Sequence, residues 1–201
     1  MIVDPTGPYV MNMAAAMNRA KDKAGLLAFF ATAKVGEDGT TNETFDTASY
    51  QVGHDVGGTA SSLNVAKLKG AKKIIMKAYK GEIPETVYMA ISVDEHDSLL
   101  NDIQVINRDY NGGQPTMVEG MVRRYLGFEF VLSELVNNDG TDNLVPAWTR
   151  SGMHAGIWQD FMPDINRRPD KSNGIQVYGD MTIGATRTQP GKVVQVLCHK
   201  P

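Results

Sequence analysis

Four histidines, His54, His96, His154 and His199, are the first side chains to test for chemistry, because imidazole both moves protons near neutral pH and binds metals. They are widely separated and fall in no short metal-ligand motif, so structural or solvent-facing roles are expected. The single cysteine, Cys198, excludes an internal disulfide framework and any multi-thiolate metal site. It continues the alternation of Val194 and Val196, which predicts a strand and a buried, inert thiol rather than a nucleophile at a helix start. No G-x-S-x-G elbow is present, and Gly191-Lys192 lacks the upstream glycine of a P-loop. Gly57-Gly58 precedes a helix and could in principle cradle a phosphate, but no strong strand leads into it. Gly36-Glu37-Asp38-Gly39 with Asp46, and the stretch Asn137 to Asp142, have calcium-like composition without the spacing of an EF-hand loop. Asp160, Asp164 and Asp170 interleave with Arg167, Arg168 and Lys171, which reads as an ion-pair cluster on a strand edge. No catalytic, cofactor-binding or metal-ligating residue is assigned.

One charge pattern stands above background. Lys69, Lys73 and Lys77 repeat every four residues, with Lys67, Lys72 and Lys80 nearby and no acid in that helix. Like charges at this spacing repel. Either a partner surface compensates them or they form a solvated face. The following stretch carries Glu82, Glu85, Asp94, Glu95, Asp97 and Asp102, which could neutralise the lysines within one chain or across a subunit contact. A binding module for nucleic acid or another polyanion on the Lys69, Lys73 and Lys77 face is the alternative function. The whole chain argues against a dedicated nucleic-acid binder: 20 basic against 23 acidic side chains leave a net charge of -3.

The elements that must carry these groups are legible in outline. With 201 residues, 42% hydrophobic and 21% charged, the chain is sized for one core or a core with a lobed extension. Its apolar runs are too short for a membrane span, the start lacks the pattern of a signal peptide, and the expected location is a reducing cytoplasm. A long helix is predicted from Pro8 to Lys34, with Val10, Met13, Met17, Ala20, Ala24, Leu27 and Ala31 as its apolar stripe. Residues 36–62 read as a loop with a short hairpin near Tyr50 and Val52. A second helix is predicted over 63–79, stopped by Gly81, then a central strand over 86–91. Ser92 with Glu95 forms a capping box for a helix over 93–101. Another helix is expected over 115–125, with strands over 128–133 and 144–148. The final stretch reads as strands over 153–159, 162–168, 174–187 and 193–198, the last pair closed into a hairpin by Gln189-Pro190-Gly191-Lys192. The fold class is α+β.

Several segments taken in order resemble the major capsid proteins of tailed bacteriophages, whose subunit fold is shared with herpesvirus floor domains and encapsulins. They are Asp4-Pro5-Thr6-Gly7-Pro8-Tyr9 leading into an alanine-rich helix with Arg19 and Asp22, the turn Gly36 to Gly39, Leu99-Leu100-Asn101-Asp102 followed by Asp109-Tyr110-Asn111, Gly127-Phe128 before a strand, and Asp139 to Asp142 after it. The most distinctive run is Arg168 to Ser172, Gln176-Val177-Tyr178 and Ile183-Gly184-Ala185-Thr186-Arg187. The resemblance implies a long spine helix and antiparallel strands forming a peripheral domain, residues 1–62 and 150–201, plus a small α/β axial domain, residues 63–149. It implies a structural, non-enzymatic subunit that self-assembles into an icosahedral head shell enclosing phage DNA, in a virion or prophage setting. Partners would be further copies in pentamers and hexamers, a scaffolding protein, and DNA held without sequence specificity, with no cofactor and no membrane. Assembly would take place in the bacterial host cytoplasm. Candidate subunit-contact residues are Lys69, Lys73, Lys77, Arg167, Arg168, Asp170 and Lys171. The extended N-terminal arm and long hairpin that precede the family's spine helix have no counterpart in these residues, so the chain alone is expected to be a monomer or weak oligomer.

Overall fold

In the computed structural model, residues 6–56, 59–107, 117–118 and 120–200 are described. Helix α1 occupies Thr6–Ala28 and is followed by β1 (Ala33–Val35) and β2 (Thr41–Glu43), α2 (Thr47–Tyr50) and β3 (Gln51–Val52). Next come α3 (Val65–Ala78), β4 (Val87–Ile91), α4 (Val93–Leu100) and α5 (Ile103–Ile106). Three short strands follow, β5 (Met117–Val118), β6 (Met121–Val122) and β7 (Arg124–Tyr125), then β8 (Phe128–Leu132) and β9 (Asp142–Thr149). Two long strands, β10 (Met153–Arg168) and β11 (Gly174–Arg187), precede the last strand, β12 (Val193–His199).

The chain divides into two compact units, Met1–Gly25 with Ala155–Ala185, and Leu26–His154 with Thr186–Pro201. In the first, α1 packs on the β10–β11 ribbon. A Cβ on Gly179 would stand 2.9 Å from the Met13 sulfur, so glycine is what lets helix and ribbon approach there. Val10, Met13, Met17 and Ala24 are half-buried along the predicted stripe, while Ala20 and Ala31 are exposed. Leu27 departs from expectation: it is 45% exposed, and Leu26 and Phe29 are buried instead. The helix ends at Ala28, and the chain turns into β1 rather than continuing to Lys34. On β11, Val177, Met181, Ile183 and Ala185 alternate with more exposed neighbours, but Ile175, Tyr178 and Trp158 of β10 stay largely in solvent.

The second unit is built on a six-stranded mixed sheet in the order β3-β12-β9-β4-β8-β7. Strand β4 is central as predicted, antiparallel to β9 and parallel to β8. Strand β12 runs antiparallel to β9 and parallel to β3. The expected hairpin between β11 and β12 is therefore absent. Val193, Val194, Gln195 and Val196 are all buried, and a strand with no exposed face needs an interior position in a covered sheet, which β11 cannot offer because it pairs with β10. By pairing, β3 and β12 share the sheet of residues 63–149. The two strands predicted over 153–168 form one continuous strand.

Capping chemistry sets the helix ends. Asn64 accepts from the Lys67 N–H at 2.8 Å to start α3. After Ala78, Lys80 takes the left-handed conformation at φ 58°, and the Gly81 N–H returns to the Met76 carbonyl at 3.0 Å, the closing pattern of a Schellman motif. The Ser92–Glu95 capping box forms as expected. The helix expected over 115–125 is replaced by β5, β6 and β7, with Gly120 at φ 79° between the first two; residues 115, 116 and 119 lie outside the described set. The hairpin expected near Tyr50 and Val52 is instead the pair β1–β2, turned by Gly36 and Gly39. Asp4-Pro5, Gly57-Gly58 and Asp109-Tyr110-Asn111 lie outside the described residues.

Candidate functional site

Helix α3 has two faces of opposite character. Val65, Lys67, Leu68, Ala71 and Ile75 are buried, whereas Lys69, Lys73 and Lys77 are exposed. Lys72 leans away and donates to the Leu126 carbonyl at 2.8 Å. An open groove of about 600 Å³ runs along the exposed side, lined by the lysines with Met76 and Gly81. Its lining is largely apolar, as expected where long cations lay their methylene stems along a surface. Among the described residues, none of Lys69, Lys73, Lys77 or Lys80 enters an ion pair.

The other candidate contact residues gather at the β10–β11 turn, where Arg167, Arg168, Asp170 and Lys171 are exposed. Arg168 grips Asp170 with a fork of two hydrogen bonds, 2.9 Å from Nε and 2.5 Å from Nη2, and this holds the Asp170 carboxyl below the usual range. Asp160 and Asp164 do not join that pair. Asp160 pairs with Lys21 of α1, and Asp164 accepts from Asn166 at 2.6 Å. Along an extended strand, residues four or six apart are separated by roughly 13–20 Å, too far to form one cluster.

Three polar clusters escaped the sequence reading. In the first, Lys67 is fully buried, and its ammonium donates to the carbonyls of Ser61, Ser62 (3.0 Å) and Leu197 (2.9 Å). Burial pushes this lysine below its ordinary range, against the opposing influence of Cys198, Asp142, Asp55 and Glu95. Cys198 is buried, and desolvation drives its thiol well above the ordinary value despite the nearby ammonium. The expectation of an inert thiol agrees with this geometry. Helical spacing held the clue to Lys67, since it lies four residues before Ala71 and eight before Ile75, on the buried stripe.

In the second, the buried carboxylate of Asp142 lies between two histidines, 2.9 Å from His54 Nδ1 and 3.1 Å from His199 Nδ1. No spacing in the sequence signals a meeting of residues so far apart. Both Nδ1 atoms are occupied by the carboxylate, and among the described residues no group of three His, Cys, Asp or Glu is placed to hold a metal ion. His96 is buried and accepts the Val122 N–H at 3.1 Å, a structural role, and His154 is exposed.

In the third, Ser151 Oγ donates to Glu85 at 2.6 Å and accepts from Lys192 Nζ at 2.8 Å, with the Tyr79 hydroxyl also 2.9 Å from Glu85. A serine beside a lysine suggests an activated nucleophile, but the hydroxyl proton is directed at a carboxylate. Bonds from Ser151 and Tyr79 and the charge of Lys192 keep Glu85 below its usual range, hence ionised. The arrangement is a latch joining residues 79–85, 149–151 and 192.

Among the described residues, no helix is long and apolar enough to cross a membrane. No curated protein matches the sequence. Among solved structures, the fold is similar to the capsid of cyanophage P-SCSP1u, with a TM-score of 0.69 at 16% identity, covering 100% of this chain and 68% of that one. It is also similar to a structure from Mycobacterium phage Che8, with a TM-score of 0.63 at 19% identity over 94% of this chain and 61% of that one. A third similarity is to the capsid of cyanophage Pam1, with a TM-score of 0.68 at 11% identity over 99% of this chain and 69% of that one. The chain thus spans roughly two thirds of the length of these relatives. The phage capsid protein family matches residues 1–200, and the chain belongs to that family, as a structural capsid protein.

Proposed function

We propose that this chain forms the wall of an icosahedral head as one of many copies in pentamers and hexamers, enclosing phage DNA without reading its sequence. The observation that carries the reading is the family match over residues 1–200 on a fold similar from end to end to capsid subunits. In this reading residues 1–62 and 150–201 serve the peripheral region and 63–149 the axial region around the capsomer centre. Such a subunit works through repeated surface complementarity, with heterologous contacts closing rings, rather than through a catalytic centre. A scaffolding protein and the host cytoplasm belong to the same proposal as the partner and place of assembly.

Electron microscopy and light scattering of the product of the whole reading frame provide the test. Closed particles with five- and six-fold units are the expected result. A product that stays dispersed under every assembly condition, alone or with its scaffolding protein, would overturn the reading.

A further inference from the structure

Within the second unit the charges are segregated. Helix α3 and Lys80 present cations without a described ion pair, while residues 81–102 contain six acids and neither lysine nor arginine. The acids divide by burial. Glu95 is enclosed, accepting from Ser92 and, at 2.6 Å, from Asn143, whereas Asp94 and Asp97 are exposed on the outer side of α4. Glu134 adds a third negative charge at the same end of α4, accepting from the Val93 N–H at 2.8 Å. Two apolar side chains, Val93 at the start of α4 and Ile103 at the start of α5, are 60% and 64% exposed.

The two surfaces match in chemistry. Lys69, Lys73 and Lys77 span about 12 Å at the helical rise, and Asp94 and Asp97 about 4.5 Å, within that length. The groove on α3 has a largely apolar lining, with Met76 40% exposed, and carries the exposed cations Lys69, Lys73 and Lys77. The α4–α5 edge is apolar at Val93 and Ile103 and anionic at Asp94 and Asp97. A head-to-tail contact requires two different complementary patches on each copy, and oppositely charged rims fix register and suppress wrong partners. We infer that the α3 lysine groove of one copy receives the α4–α5 edge of a second copy of this chain, with Lys69, Lys73 and Lys77 facing Asp94 and Asp97. The inference rests on the shell reading and names the surfaces it would use.

The test mixes ¹⁴N- and ¹⁵N-labelled protein at high concentration, couples touching ammonium and carboxylate groups with a carbodiimide, and identifies mixed-isotope cross-links by mass spectrometry. Links from Lys69, Lys73 or Lys77 to Asp94 or Asp97 are expected. Lys73→Glu with Lys77→Glu should lower cross-linking of copies roughly tenfold, as should Asp94→Lys with Asp97→Lys, and mixing the two variants should restore it because the reversed patches again match. Circular dichroism confirms that each variant is folded. Mixed-isotope links confined to other residues would overturn this contact while leaving the shell reading intact. Absence of any mixed-isotope link at high concentration would likewise overturn this contact, while the shell reading is judged separately by the particles formed from the whole reading frame. Retention of a short duplex DNA by the lysine face, with copy-to-copy links indifferent to the swaps, would overturn the contact in favour of a polyanion surface.

Discussion

The Lys67 ammonium reaches the Leu197 carbonyl of β12 at 2.9 Å, although the two residues are 130 positions apart in sequence. With the carbonyls of Ser61 and Ser62 as its other acceptors, the lysine ties the approach to α3 to the backbone of the last strand. A buried cation is tolerable only when its donors are satisfied, and here each of its three hydrogens has an acceptor.

Lys67→Met keeps most of the apolar stem but leaves these carbonyls without their donor. Relief of the buried charge offsets part of that loss, so the expected destabilisation is about 2–4 kcal/mol. Chemical denaturation measures it. A variant within a few tenths of a kcal/mol of the parent would show that the carbonyls find other donors.

Alkaline titration separates Cys198 from its neighbour. Its thiol is raised in the folded state, so above the unfolded thiol value, near 9, the unfolded chain has lost a proton that the folded chain keeps. Stability should then fall with rising pH by up to about 1.4 kcal/mol per unit. Lys67 acts in the opposite sense: its lowered folded value makes stability rise with pH as 10.5 is approached from below. In Cys198→Ala the first effect is gone, so the variant should lose less stability than the parent between pH 9 and 10.5. Equal slopes in the two proteins would contradict the burial of the thiol, as would its rapid reaction with a thiol reagent at neutral pH.

The end of α1 offers a paired comparison. Leu27 is exposed, while Phe29 is buried with its ring centroid 4.5 Å from that of Trp148. Leu27→Asp should change stability by no more than about 1 kcal/mol, and Phe29→Asp should cost about 4 kcal/mol or more by burying an unpaired carboxylate. Thermal melts that rank the two in reverse order would place the helix terminus in the wrong register.

Arg187 gathers the loop that follows α1. Its guanidinium donates to the carbonyls of Phe29 (2.8 Å), Ala31 (3.2 Å) and Glu43 (3.4 Å) and lies 5.1 Å from the Phe45 ring centre. Lysine keeps the charge but lacks the planar fork, so Arg187→Lys should destabilise by about 1–2 kcal/mol. Unchanged denaturation midpoints would mean that one acceptor suffices.

What the sequence revealed, and what it hid, follows the range of the interactions. The Ser92–Glu95 cap, the central strand over 87–91 and the lysine face of α3 were legible because each rests on neighbours within about one turn or on period-two alternation. The short strands over 117–125 were not, because apolar residues in a brief window fit a helix equally well. Their pairing depends on Gly120 in the left-handed conformation and on His96 reaching the Val122 N–H. The place of β12 between β9 and β3 was hidden for the same reason: a prolyl-glycyl turn marks a reversal without naming the strand that waits on the other side. The Asp142 meeting of His54 and His199 depends entirely on that sheet order.

The position of β12 also has a kinetic meaning. Gln195 and Val196 lie beside Gln51 and Val52, so an inner strand of the sheet is supplied by residues made some 140 positions after its edge partner, and distant pairings of this kind are slow to form. During synthesis β3 and β9 must wait, unjoined, until residues 193–199 emerge and slot between them. Until then the growing chain exposes strand edges of the kind that pair with other chains, and the arrival of residues 193–199 decides when that exposure ends.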